Sequence, residues 1–356
     1  MSKKEGDYNV MGESTTRLRA GVVGLGLGAA HAQAYASHSQ VTLVAVCDEN
    51  AERLANVVSA FPSVKAYTGL HDMLERERLD LVSICTPDWL HADMCIAALQ
   101  AGAHVICTKP VTTNIDDARR LIAAADATRR SLMVAHDRRF APRYRAIKDV
   151  LEQGLLGTLF YIELDYFDHK ERQFAKTPWY RSAEHPRAAI LGTGSHAVDL
   201  MRWFGGEVEE AWGAGNHLAY PDFPEDDCMI GVFRLSGGAI GKVTQTYASI
   251  RGAGEPDMRV TIHGTAGSIE DDKLLYLGMY DNVAAMDLAG QKPWGRMPLR
   301  QQSQSSHQAQ IEYFISCVLA GRPAEPDGRD AARTVAACLA AVEAARTGQS
   351  TRPALF

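Results

Sequence analysis

The chain has 356 residues, 46% hydrophobic and 22% charged, with a formal net charge of −6. That length exceeds one ordinary core and implies two domains, while the mild acidity argues against a nucleic-acid or anionic-membrane surface. No apolar run approaches the roughly 18 residues of a membrane span, and seven scattered cysteines without a CxxC pair argue against a disulfide framework or thiolate zinc site and for a reducing cytoplasm.

Residues 1–18, MSKKEGDYNVMGESTTRL, lack the apolar segment of a secretory signal and read as a flexible polar leader. From residue 19 to about 140, apolar strand-like runs alternate with amphipathic helical ones: RAGVVGLG, AAHAQAYASH, VTLVAVCD, NAERLANVVSAF, LDLVSICTP, HADMCIAALQAG, HVICTKP, IDDARRLIAAADATR and SLMVAHD. This is the signature of βαβ units and a parallel sheet covered on both faces. Residues 141–345 have a different texture. YRAIKDVLEQG and HAVDLMRWFGG read as helices, LFYIELDYF alternates as a one-face-buried strand, and DCMIGVFRLSGGAIGKVTQTYAS and MRVTIHGTAGSIE read as hairpins. KLLYLGMY is strand-like, LRQQSQSSHQAQ reads as a surface loop, and His307 to Arg346 is Ala-rich and helical around GRPAEPDGRD. The expected fold is α/β: a Rossmann domain over 19–140, an α+β domain with a largely antiparallel sheet over 141–345, and a tail over 346–356.

Four motifs carry chemistry. In GVVGLGLGAAH, Gly24 and Gly26 take the G-x-G positions, Leu27 follows them, and Ala29 takes the third small position. Such a turn lets a pyrophosphate approach backbone N–H groups at a helix N-terminus. Asp48, 22 residues after Gly26, ends the next strand and is placed to accept from a ribose 2′-OH. Glu49 beside it would repel a 2′-phosphate, which favours NAD over NADP. In CTPDWLHADM, Thr86 and Pro87 end the fourth strand at the ligand edge, with His91 opening a helix. In AHVICTKPVTT, Lys109 ends the fifth strand on the same edge; desolvation there would lower its pKa, and Pro110 restricts its backbone. In GTGSHAVDLMRWFGG, His196 and Asp199 share a helix face; with no further His or Cys clustered there, an acid/base histidine with a substrate-binding carboxylate is expected rather than a metal site.

Taken in order, the glycine turn ending AAH, then AVCD, TPDWLH, AGAHVICTKPV, HDRRFAPRY, GLLGTLFYIELDY, GTGSHAVDL and IHGTAGSIE, the chain resembles the glucose–fructose oxidoreductase / inositol dehydrogenase / MocA family from about residue 19 to residue 345. The resemblance implies a Rossmann domain joined to a domain with a largely antiparallel sheet, NAD(P)-dependent hydride transfer at an alcohol of a sugar, glycoside or cyclitol, and a homodimer or homotetramer. It implies that Lys109 acts near the nicotinamide and that His196 is the active-site histidine. The family usually carries a glutamate before that lysine and often an aspartate four residues before the histidine; Thr108 and Gly192 stand there in this chain. Two carboxylates are therefore missing around Lys109, which would leave it less charge-compensated and more readily neutral.

The expected chemistry has His196 accept the alcohol proton while Lys109 stabilises the developing negative oxygen, roles that could be exchanged. Asp199 would orient a neighbouring hydroxyl, and Tyr166, His169 and Arg138 are further candidates for the cleft. Two other readings come from the same residues: a glycosidase or 3-keto-sugar enzyme that oxidises its substrate transiently with bound NAD, and a non-catalytic NAD sensor.

Overall fold

A computed structural model describes residues 17–250, 258–276, 295–298 and 304–356. All but two residues of the expected leader, residues 277–280 of KLLYLGMY and residues 299–303 of the polar loop lie outside them.

Among the described residues the first sheet has six strands, all parallel: β1 (Leu18–Val23), β2 (Val41–Cys47), β3 (Lys65–Tyr67), β4 (Leu81–Ile84), β5 (His104–Thr108) and β6 (Leu132–Ala135), in the order β3-β2-β1-β4-β5-β6. Every residue of β4 and β6 is buried, because helices cover both faces. The strand order reverses between β1 and β4, which opens a crevice at their carboxyl ends. β3, short and exposed at one edge, has too little apolar periodicity to read from sequence.

The second sheet has eight strands among the described residues: β7 (Leu159–Phe167), β8 (Val208–Asn216), β9 (Cys228–Leu235), β10 (Ile240–Thr246), β11 (Met258–Gly264), β12 (Gly267–Glu270), β13 (Lys273–Tyr276) and β14 (Gly295–Arg296). Their order is β14-β13-β12-β11-β7-β10-β9-β8, antiparallel throughout except for the β7–β10 pair. Its inner face packs Ile162 and Leu164 against Val198 and Met201 of the helix Ser195–Gly205. β8 was not expected, since Gly213 and Gly215 interrupt its alternation. Gly213 is needed there: a Cβ would lie 2.1 Å from the carbonyl oxygen of Ala341 on the crossing helix Gly328–Thr347.

The C-terminal helices do not stay with the second sheet. The helix Ser306–Leu319, expected within 141–345, buries Ile311, Phe314 and Ile315 with Ala20, Val22 and Tyr35 of the first domain. The following helix runs against β8 and also packs Ala332 on Ala118 and Ile122. Past it, Thr351 exchanges backbone hydrogen bonds with Ala211. Among the described residues no helix is long and apolar enough to cross a membrane.

Candidate active site

The cofactor edge is built by the turn after β1. Gly24 has φ +82°, and a Cβ there would lie 2.7 Å from the Cys85 carbonyl, so the turn tolerates no side chain. The outer side at Gly26 is open, the nearest neighbour of a Cβ being the Arg53 guanidinium at 3.8 Å. Leu27 is exposed at the helix start. The third small position is Gly28, not Ala29: a Cβ on Gly28 would lie 2.8 Å from Val22, whereas Ala29 faces outward. Asp48 is held by two backbone donors, Leu25 N at 2.6 Å and Asn50 N at 2.8 Å, and its remaining lone pairs can accept ribose hydroxyls. A bare glycine turn, a helix N-terminus and a fixed carboxylate on one edge fit a dinucleotide.

Thr86 and Pro87 border the same edge, half-buried. His91 is buried beneath them, its Nδ1 2.8 Å from the Pro110 carbonyl oxygen and its Nε2 2.9 Å from that of Thr86. It brackets the loops after β4 and β5 from below instead of reaching outward.

Lys109 follows β5 and is joined to Pro110 by a cis peptide. Its Nζ donates to the Gly192 carbonyl oxygen at 3.1 Å, a neutral acceptor. Burial draws its pKa down to about 7; Lys170 and Arg187 push the same way, and Asp137 and Asp88 resist. His196 is 9% exposed. Burial, then Lys109 and Arg138, hold it well below the ordinary histidine value. Its Nδ1 lies 3.7 Å from Asp137 Oδ1 and has no hydrogen-bond partner among the described residues. The Tyr166 ring stands 6.2 Å from that of His196, and its hydroxyl accepts from Arg138 Nη2 at 3.0 Å. Lys109, His196, Tyr166 and Arg138 therefore converge.

The two missing carboxylates have physical replacements. Thr108 is buried, its hydroxyl 3.3 Å from both the Ile84 carbonyl oxygen and His91 Nε2. A Cβ at Gly192 would lie 2.3 Å from Tyr247 Oη and 3.3 Å from Arg187 Nε, so the space of an aspartate is filled by a buried phenol. Arg187 is ion-paired with Asp88, both buried, and its guanidinium lies against Trp179 (4.6 Å) and Tyr180 (4.3 Å).

One expectation fails. Asp199 is fully buried and bound by Arg139 at 2.9 and 2.7 Å, with His136 Nδ1 at 3.4 Å. Burial alone would raise its pKa, but Arg139 and His136 outweigh that and hold it below the usual carboxylate range. It anchors the helix and is closed to a substrate. His169 is exposed, its backbone bridged to Ala248; the neighbouring Lys170 is the residue whose charge reaches Lys109 and His196. Sequence reasoning did not single out Asp88, His136 or Asp137, although they follow β4 and β6 on the ligand edge. Lys170, Arg187 and Tyr247 come from loops and offer no spacing signal.

Comparison with known proteins identifies the family. A profile described as "Oxidoreductase family, NAD-binding Rossmann fold" matches residues 18–136, and one described as "GFO/IDH/MocA C-terminal domain" matches residues 144–270. The myo-inositol 2-dehydrogenase of Thermotoga maritima is 26% identical over 88% of this chain and 92% of its own. The D-apiose dehydrogenase of Paraburkholderia graminis is 27% identical over 98% and 94%. The crystal structure of the WlbA dehydrogenase from Bordetella pertussis, in complex with NADH and UDP-GlcNAcA, shares the fold with a TM-score of 0.81 at 24% identity, over 96% of this chain and 99% of that one. The chain belongs to the GFO/IDH/MocA family of oxidoreductases, and its first domain is that family's NAD-binding Rossmann fold.

Proposed function

We propose that the protein is an NAD-dependent dehydrogenase of a secondary alcohol on a sugar, glycoside or cyclitol. The observation that carries this reading is the meeting of Lys109 with His196 on the same sheet edge as the glycine turn and Asp48. When bound, the nicotinamide supplies the hydride acceptor. Gly24, Gly26 and the helix start at Gly28 would hold its pyrophosphate, and Asp48 its ribose. Asp48 and Glu49 favour NAD over NADP.

The protein's own task is the alcohol proton. A base works best with a pKa near the working pH, and Lys109 at about 7 meets that condition. His196, kept neutral, can accept a hydrogen bond through Nε2, because Nδ1 faces Asp137. This exchanges the roles expected from sequence: Lys109 takes the proton, and His196 orients the hydroxyl and shares its charge. Tyr166 and Arg138 stand beside His196.

The test is NADH formation, followed at 340 nm, with myo-inositol, D-apiose and UDP-GlcNAcA, the compounds named for the relatives, and with NAD or NADP. Turnover that Lys109→Ala lowers by about 10²–10⁴-fold supports the reading. Near wild-type kcat in both Lys109→Ala and His196→Ala defeats it, and aglycone release from a glycoside without net NADH indicates transient oxidation instead.

The outer face of the second sheet carries Trp212, Ile230, Val232 and Ile240, all more than a third exposed. We infer that a second copy covers it, giving a homodimer or homotetramer. Val232→Asp should then shift the sedimentation coefficient towards that of a monomer. The free thiols of Cys47, Cys95 and Cys107 suit a reducing cytoplasm.

A further inference from the structure

Oxidation of an alcohol releases a hydride and a proton, and the proton must leave a site where His196 is 9% exposed and its Nδ1 is sealed from water. One carboxylate touches both that nitrogen and the surface. Asp137, 12% exposed, directs Oδ1 to His196 Nδ1 at 3.7 Å and Oδ2 to His307 Nε2 at 3.8 Å. Its Oδ2 also accepts from Ser306 Oγ at 3.3 Å. The His307 side chain is 42% exposed, at the start of the helix Ser306–Leu319. The distances suit a proton passing after a small side-chain movement that closes each gap to hydrogen-bond length.

We propose that Asp137 and His307 form the proton exit of the enzyme, carrying the substrate's hydroxyl proton from His196 to bulk water. This inference rests on the dehydrogenase reading above.

The balance is as follows. The C–H bond breaks with its electron pair, which reduces the nicotinamide. Lys109 takes the O–H proton and hands it on to Nε2 of His196. The ring releases its Nδ1 proton to the Asp137 carboxylate, which passes a proton to His307 Nε2; the exposed His307 ring, whose Nδ1 lies 3.5 Å from Gln310 Nε2, then gives a proton to water. Once the product has left and water enters the crevice, His196 gives its Nε2 proton to that water and regains one at Nδ1 through Asp137 and His307 from bulk, a reset with no net release. One hydride and one proton leave per alcohol oxidised.

The charges around the path suit this direction. Lys109, Arg138, His136 and Lys170 face His196 and oppose a lasting imidazolium, so a proton does not rest there. Asp137 is the acceptor on the other side of the ring. Among the described residues, His31 also feels the charge of His307, and it is buried, hydrogen-bonded to Ser83 through Nδ1 at 3.0 Å and kept neutral. It therefore offers no competing exit.

The experiment is stopped-flow oxidation, under single-turnover conditions and in weak buffer, of whichever of the three test compounds turns over fastest. NADH is read at 340 nm and released protons by phenol red. In the wild type the two signals should coincide. In His307→Ala, a surface change that spares the core, proton release should lag NADH formation by about 10-fold or more, and added imidazole should close the gap. Asp137→Asn should show the lag without rescue, because the missing step lies inside. If proton release keeps pace with NADH in His307→Ala without imidazole, or if both signals slow together and imidazole restores neither, the exit proposal is overturned. Absence of NADH from the wild type defeats the dehydrogenase reading itself, which is a separate outcome.

Discussion

At the scale of the residue, the site turns on a lysine that lacks a carboxylate partner. A cation near Lys109 disfavours its protonated form, and Lys170 is the first such cation after burial itself. For alcohol oxidation, kcat/KM should therefore rise with pH through about 7 as Lys109 loses its proton. Lys170→Met should move that limb to higher pH, by on the order of 0.5 pH, whereas Asp88→Asn should move it lower. A limb near 10 in the wild type would show that Lys109 is not desolvated. Gly192 gives a second expectation. Gly192→Ala would place a Cβ 2.3 Å from Tyr247 Oη, an overpacking that costs about 1–3 kcal/mol. Pairing it with Tyr247→Phe should recover part of the loss in Tm, since the phenol oxygen is what the methyl meets.

At the scale of the element, the turn after β1 shows how a motif's register is settled by packing. Gly28→Ala should lower Tm and weaken NAD binding in calorimetry, because the methyl would push the helix away from Val22 and Cys85. Ala29→Gly should change stability by only about 1 kcal/mol, the propensity cost in an exposed first turn. Equal effects would restore Ala29 to the role its spacing suggested. The same contrast explains what was legible beforehand. Apolar strands such as VSIC and HVICT declare their burial through composition, so the parallel sheet and the edge holding Lys109 were readable. Tyr166 lies on β7 and Arg138 just after β6, two elements that composition also declares. Asp199 was misread because helical spacing tells which residues share a face but not what that face meets; Arg139, 60 positions away, decides it. Tyr247 and Arg187 lie on loops, where no periodicity fixes side-chain direction.

At the scale of the molecule, charged pairs buried between elements tie the two sheets together. Asp199 binds Arg139, which also reaches Asp330 at 2.7 Å on the helix Gly328–Thr347, and Arg202 reaches Asp330 at 2.8 Å. Asp199→Ala should cost about 3–5 kcal/mol by leaving Arg139 partly uncompensated, seen as a lower denaturation midpoint. The carboxyl's folded pKa is depressed, so its contribution is present above its unfolded value near 4 and is lost as pH falls through the folded one. The acid limb of a stability curve should therefore be flatter in that variant. The aromatic wall around Arg187 has a consequence of another kind. Trp89 follows Asp88 at the crevice and touches Trp179 edge-on at 5.4 Å, while Trp179 lies against the Arg187 guanidinium. Two of the chain's five indoles thus stand beside the buried Asp88–Arg187 pair, on the loop that follows β4 at the crevice and on the loop packed against it. The protein carries its own optical reporter: NADH should quench indole emission near 340 nm and gain emission of its own by energy transfer, so occupancy of the crevice can be followed before any substrate is known.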